Sequence, residues 1–213
     1  MSVLDMLEEA GAVYTGRHFV YKSGRHGPAY VDMDRVYPHL PTMWKLATLM
    51  VECIPEPRRI EVVVGPAVGG VALASDVAHR LLQLGIVVDR LWVDKNGDDF
   101  AFERAGFAER VKGKRVLVVE DLLTTGGSVK KACAQVEAAG GEVVAVVAIC
   151  NRGGLTTKSL GWPLYALCEV SFEAVLAEQC QLCADNVPIV SNIGHGSGFQ
   201  TANSTYEGGY TEL

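Results

Sequence analysis

The chain has 213 residues, 49% of them hydrophobic, and a formal net charge of −6. That length and apolar content allow one domain with a sizeable core and exclude a disordered chain. The negative balance argues against nucleic acid as a bulk electrostatic partner, and no run approaches the ~18 apolar residues of a membrane span.

The opening stretch, MSVLDMLEEAG, carries acids where a signal peptide would carry positive charge, so a cytoplasmic protein is expected. Residues 1–40 read as a helix followed by an aromatic, polar segment of strands or loops folded over a site. Four short valine-rich runs follow: Ile60–Val64, Val87–Val93, Val116–Val119 and Val143–Cys150. Each has the length and composition of a buried parallel strand. Between the first two, Gly70–Leu84 has helical spacing; between the last two, Val129–Ala139 does, and Gly140-Gly141 ends it. Alternating strands and helices predict an α/β fold, a Rossmann-like parallel sheet with helices on both faces. Tyr165–Ala177 reads as a strand leading into a helix. From Ser191 the composition turns to Gly, Ser, Asn and Thr, as in a mobile or partner-ordered tail. The expected layout is one domain over 1–190, with a small hood from about 1–40 and 165–190, and a tail over 191–213.

The six cysteines do not form the framework of a disulfide scaffold at this length. Cys53, Cys133 and Cys150 fall in apolar segments and read as small core residues. Cys180 and Cys183 form C-x-x-C, with Cys168 upstream. Zinc or redox chemistry is conceivable there, but no second ligand pair at the usual spacing stands in the sequence, so the reading is structural or incidental.

The chemistry concentrates at Arg115–Val129, RVLVVEDLLTTGGSV. A strand, the acidic pair Glu120-Asp121, a turn of Thr124, Thr125, Gly126, Gly127 and Ser128, and a helix start together make a phosphate cradle. The two glycines permit close approach and positive φ. There is no Lys before the Ser, as a Walker loop needs, and no G-x-G-x-x-G. A second strand–turn–helix unit, Val62–Gly70, places Ala67, Val68 and Gly69 in another anion-binding turn.

The first of these turns resembles the 5-phosphoribosyl-1-pyrophosphate (PRPP) motif of the type I phosphoribosyltransferases, and the second is similar to that family's pyrophosphate loop. The N-terminal stretch from His18 to Asp32, with Phe19, Lys22-Ser23-Gly24 and Tyr30 in register, looks like the pattern of the orotate-specific members. So does Asn151-Arg152-Gly153-Gly154 directly after a strand, where a guanidinium fork suits a planar carboxylate. Cys180–Pro188 resembles a C-P-L-C-x-x-G-x-P segment of some orotate enzymes, with Asn186 in place of Gly, an exchange compatible with a left-handed backbone. The resemblance covers about residues 14–188.

It implies the type I phosphoribosyltransferase fold and Mg²⁺-dependent transfer of the phosphoribosyl group from PRPP to orotate, in a homodimer without membrane or nucleic-acid partners. Thr124–Ser128 would hold the 5-phosphate, and Glu120 and Asp121 the ribose hydroxyls, with Mg²⁺ reached through those hydroxyls and water. Ala67–Gly69 and Lys95 would receive pyrophosphate, with Lys95 counted beside Glu120 and Asp121 as catalytic. Lys22, Tyr30 and Arg152 would orient the base, and Lys22 would also serve PRPP. One departure stands out: after Lys95 the chain carries Asp98, Asp99 and Glu103 rather than the long loop with further lysines seen in many members. Lys95 and Arg104 would have to do that loop's work, unless a neighbouring subunit supplies less than usual. A phosphoribosyltransferase for a purine or other base, and a non-catalytic sensor of PRPP or nucleotide, stand as alternatives.

Overall fold

A computed structural model describes all residues from Met1 to Leu213. In chain order the elements are α1 (Val3–Glu9), β1 (Val13–Val20), β2 (His26–Val31), α2 (Leu40–Glu52), β3 (Val62–Pro66), α3 (Gly69–Gln83), β4 (Asp89–Asn96), β5 (Asp99–Ala101), α4 (Phe107–Val111), β6 (Arg115–Leu123), α5 (Gly127–Ala138), β7 (Glu142–Asn151), α6 (Thr157–Leu160), β8 (Leu164–Glu169), α7 (Gln181–Ala184), β9 (Ile189–Val190), α8 (Gly196–Ala202) and β10 (Tyr210–Thr211). They fall into two compact units, one of His39–Val170 and one of Met1–Pro38 with Ser171–Leu213.

The larger unit is built on a six-stranded sheet in the order β5-β4-β3-β6-β7-β8. All pairings in it are parallel except β4–β5. One face packs on α5, where Val62, Val64, Val116, Val118, Val146 and Ala148 meet Val129, Ala132, Cys133 and Val136. The alternate residues Val63, Leu117, Val119, Val147 and Ile149 are also fully buried. Burial on both faces is why these strands read as unbroken valine runs instead of alternating. α3 packs on β3, β4, β6 and on α2. This is the parallel sheet with flanking helices that the sequence predicts, each strand one to four residues longer at its carboxyl end. No helix is long and apolar enough to cross a membrane.

Two features of this unit are not legible in the valine pattern. α2 has Pro41 in its first turn and buries Met43, Leu46, Ala47, Met50 and Val51, the spacing of an amphipathic helix. β5 is short and folds back on β4 around Gly97 at φ 59°. The helix expected at the end of Tyr165–Ala177 does not form. β8 stops at Glu169, and a single 3-10 turn spans Ala177–Gln179. Local helix-forming residues there lose to tertiary backbone pairing: the His26 amide donates to the Val175 carbonyl at 2.8 Å, and Val175 returns the bond at 3.0 Å.

The smaller unit is a four-stranded sheet in the order β10-β9-β1-β2. Residues 191–213, expected as an appended tail, belong to it through α8 and through β10, which pairs parallel with β9. Asn186 takes φ 53°, the left-handed conformation anticipated for it.

Leu117 is fully buried at the centre of the larger sheet. Leu117→Ala should cost about 2–5 kcal/mol of stability, read from the urea midpoint, with the denaturant slope unchanged.

Candidate active site

Parallel pairing puts the carboxyl ends of β3, β4, β6 and β7 along one edge of the larger sheet. The chain runs from β3 outward to β4 and later returns on the other side of β3 as β6. The order therefore reverses between β3 and β6, and the turns after those two strands flank the crevice where ligands of open α/β sheets bind.

After β6 the chain passes through Thr124 and Thr125 to Gly126, whose φ of 75° is left-handed. The first helical bond of α5 runs from the Lys130 amide to the Gly126 carbonyl at 2.9 Å. The amides of Gly127, Ser128 and Val129 are thus first-turn donors, and Thr125, Gly127 and Ser128 are exposed. The geometry suits an anion of phosphate size.

This loop is clamped from β7. The amides of Arg152 and Gly153 both donate to the Leu123 carbonyl, at 2.8 and 3.0 Å. A Cβ on Gly153 would lie 1.6 Å from the Thr124 carbonyl oxygen, so only glycine fits beneath the loop. Buried Asn151 closes the turn by donating to the Leu155 carbonyl at 2.8 Å and accepting from the Leu155 amide at 3.0 Å. The sequence marks the Asn151–Gly154 run as a match around Arg152 but not as the support of the phosphate loop. The signal available was the Asn and the glycine pair themselves, both turn formers.

The turn after β3 is equally tight. Gly65 and Gly70 approach so closely that a Cβ on Gly65 would sit 2.1 Å from the Gly70 carbonyl oxygen. Between them the Ala67–Val68 peptide is cis, and the Ala67 amide donates to the Val93 carbonyl of β4 at 2.9 Å. Val68 is exposed at the crest of this turn, directly before the N-terminus of α3.

Glu120 and Asp121 close β6. Glu120 is buried, and its carboxylate accepts from the Asp121 amide at 3.3 Å. Burial, and then the adjacent Asp121 charge, push the Glu120 carboxyl well above its usual range. Two neighbouring hard-oxygen donors beside an anion cradle are the chemistry that a vicinal diol and a hydrated Mg²⁺ would use. Lys95 lies exposed near the end of β4, opposite Phe100 of β5, and no ion pair engages it. Arg104, expected to assist it, is committed elsewhere. Its guanidinium pairs with Asp94 at 3.2 Å and lies 5.8 Å from the Trp92 ring centre. Asp98, Asp99 and Glu103 follow on that hairpin, and a fourth acid, Asp94, holds the arginine.

Residues 67–69, Lys95, Glu120, Asp121, 124–128 and Arg152 thus share one sheet edge. Lys22 and Tyr30 belong to the smaller unit. Lys22 is exposed on the turn between β1 and β2, which is closed by the Gly24 amide donating to the Tyr21 carbonyl at 2.9 Å. Tyr30 is half-buried and stacks on Tyr21 at 6.3 Å and near Phe19 at 5.6 Å.

The phosphoribosyl transferase domain family matches residues 32–178. The chain belongs to this family. It is 35% identical over 189 residues to the orotate phosphoribosyltransferase of Caldicellulosiruptor saccharolyticus, spanning 88% of this chain and 93% of that one. The orotate phosphoribosyltransferase of Caldanaerobacter subterraneus is 34% identical over 188 residues, spanning 88% and 94%. Among solved structures, the Mycobacterium tuberculosis orotate phosphoribosyltransferase with Fe(III) dicitrate aligns at a TM-score of 0.63 and 26% identity, over 79% of this chain and 96% of that one. The two anion turns and the acidic pair of this phosphoribosyltransferase chain all lie inside the matched span.

Two outcomes test the site's construction. Gly153→Ala should displace Thr124 and weaken PRPP binding at least roughly tenfold, read by calorimetry, since two or more phosphate hydrogen bonds depend on that loop. Because the Glu120 carboxyl titrates higher folded than unfolded, its contribution is full at acid pH. It is lost as pH rises from the ordinary carboxylate value through the folded one. Glu120→Gln should therefore raise the thermal midpoint at pH 8 and leave it unchanged at pH 4.

Proposed function

We propose that this chain is an orotate phosphoribosyltransferase, transferring the 5-phosphoribosyl group of PRPP to orotate with release of pyrophosphate. The observation that carries this reading is the pairing of an anion turn after β3 with an acidic pair and second anion turn after β6, on either side of the sheet's reversal point. The relatives named above, matched over nearly their whole length, support orotate as the acceptor.

The turn of Thr124, Thr125, Gly126, Gly127 and Ser128 binds the 5-phosphate through first-turn amides and hydroxyls. Glu120 and Asp121 accept hydrogen bonds from the two ribose hydroxyls. Glu120 is held towards its neutral form by burial and by the Asp121 charge beside it. Negative charge placed there opposes the positive charge that develops on the sugar ring as the C1–O bond to pyrophosphate lengthens. The backbone of Ala67, Val68 and Gly69 at the start of α3, with the Lys95 ammonium, receives the departing pyrophosphate. Arg152, whose backbone is held by the hydrogen bond its N–H donates to the Leu123 carbonyl, offers its fork to the orotate carboxylate. Lys22, exposed on its turn, and Tyr30 are proposed as ligand contacts on the strength of their motif. No side chain is assigned as an obligatory base, since the acceptor is already acidic.

Glu120 and Asp121 would hold Mg²⁺ mainly through the ribose hydroxyls and water, and the ion would supply positive charge to offset that of the pyrophosphate. A homodimer in the cytoplasm completes the reading.

The test is orotate consumption, followed by its ultraviolet absorbance, with PRPP and Mg²⁺. Turnover is expected, with Asp121→Asn reducing it at least about 100-fold, since a charge aimed at the transition state is removed. Arg152→Ala should raise the KM for orotate about 10- to 100-fold, the range of a lost charged hydrogen-bonded pair, with the KM for PRPP little changed. PRPP binding without turnover on orotate would overturn the acceptor and favour another base or a sensing role.

A further inference from the structure

The smaller unit brings together four side chains that the function above does not use. His18 on β1, His26 at the start of β2, and Cys180 and Cys183 at the start of α7 each direct one ligand atom to a common centre, all within 4.8 Å of one another. His18 Nε2 lies 2.9 Å from His26 Nδ1, 3.6 Å from Cys180 Sγ and 3.7 Å from Cys183 Sγ. Cys183 Sγ lies 3.3 Å from His26 Nδ1. With bonds of about 2.3 Å to sulfur and about 2.0–2.1 Å to nitrogen, a regular tetrahedron has N···S edges of about 3.5 Å and N···N edges of about 3.3 Å. The observed edges bracket the first and fall slightly under the second.

We propose that His18, His26, Cys180 and Cys183 form a closed tetrahedral zinc site that staples the β1–β2 turn to the Cys180–Val187 segment.

The surroundings are arranged for it. His18 Nδ1–H donates to the Val187 carbonyl at 2.9 Å, and a carbonyl can only accept. The proton is therefore on Nδ1, and the Nε2 lone pair faces the other three ligands, as an outer partner of a metal-bound imidazole requires. Both thiols are free, so the C-x-x-C is not spent in a disulfide. No carboxylate belongs to the group, which disfavours Mg²⁺ and Ca²⁺ and suits a borderline ion. Two thiolates, two neutral imidazoles and a dication sum to zero, the balance a buried site needs. Three of the four residues are buried, Cys183 is half-buried, and the rings of Phe199 and Tyr206 pack on His26 at 4.9 Å and on His18 at 6.2 Å. Four protein ligands leave no open position, so the ion is structural.

One apolar cluster of the same unit, Phe19, Tyr21, Val190 and Ile193 with Tyr14 and Tyr30 packed against it, draws on β1, β2 and the segment from β9 onward. A metal clip between β1, β2 and Cys180–Cys183 would add stability to that packing. The sequence shows the C-x-x-C and withholds its complement, because the second pair is two histidines far upstream, on antiparallel strands.

The full chain, expressed with zinc and purified without chelators, is assayed for metal by mass spectrometry. About one zinc per chain is expected, released to a colorimetric chelator when the thiols are blocked by a mercurial. Cys183→Ser and His26→Gln should lose the zinc, while Cys168→Ser, a half-buried thiol on β8, keeps it. Should those two variants fail to fold, cobalt exchanged into the unaltered chain carries the test. It should give thiolate-to-metal charge-transfer absorption and the intense visible bands of tetrahedral Co²⁺. A folded chain with only trace zinc and no such bands, or folded variants that retain full zinc, would overturn the proposal. None of these readouts depends on turnover, so they stand or fall apart from the orotate assay.

Discussion

Parallel pairing of β3, β4, β6 and β7 is the constraint on which the site depends. A parallel strand can be reached only by a crossover, and each crossover begins at a carboxyl end. Every functional turn of the larger unit is therefore delivered to the same edge. The reversal of order between β3 and β6 leaves those two turns with no crossover covering the space between them. Helix N-termini point into that edge, and their unpaired amides are the complement of phosphate.

Close backbone approach then fixes the shape of each turn. Gly65 against Gly70, and Gly153 against the Thr124 carbonyl, are contacts that no side chain could enter. They make the two loops rigid through main-chain atoms, so that amides stay aimed without help from flexible side chains. The acidic pair works in the opposite sense. Burial of Glu120 beside Asp121 disfavours its charged form, and a buried acidic pair of this kind is a common mark of a functional site.

The smaller unit solves a different problem. Its buried polar side chains are His18 and His26, set among apolar neighbours. Polar atoms in such a place need partners, and the two rings meet one another, the Val187 carbonyl and two thiols, while His26 Nε2 is left without one. The glycine- and serine-rich C-terminal segment closes over them with Phe199 and Tyr206. That is why a stretch that looks like a loose tail by composition is folded: Phe199 and Tyr206 have somewhere to go.

Much was settled by the sequence alone. Valine runs bounded by turn residues reveal the four central strands, because a strand buried on both faces needs apolar residues at every position. The acidic pair followed by Thr-Thr-Gly-Gly-Ser reveals the turn and helix start after β6, because its donors are main-chain amides that a local turn presents. What lay beyond it depended on distant partners. The helix expected before Ala177 yielded to pairing between Val175 and His26. Arg104 looked available until Asp94 and Trp92 were seen beside it. The C-x-x-C had no visible complement until β1 and β2 carried two histidines to it. Local chemistry is written in contiguous residues, whereas the choice of partner across the chain is made only when the chain folds.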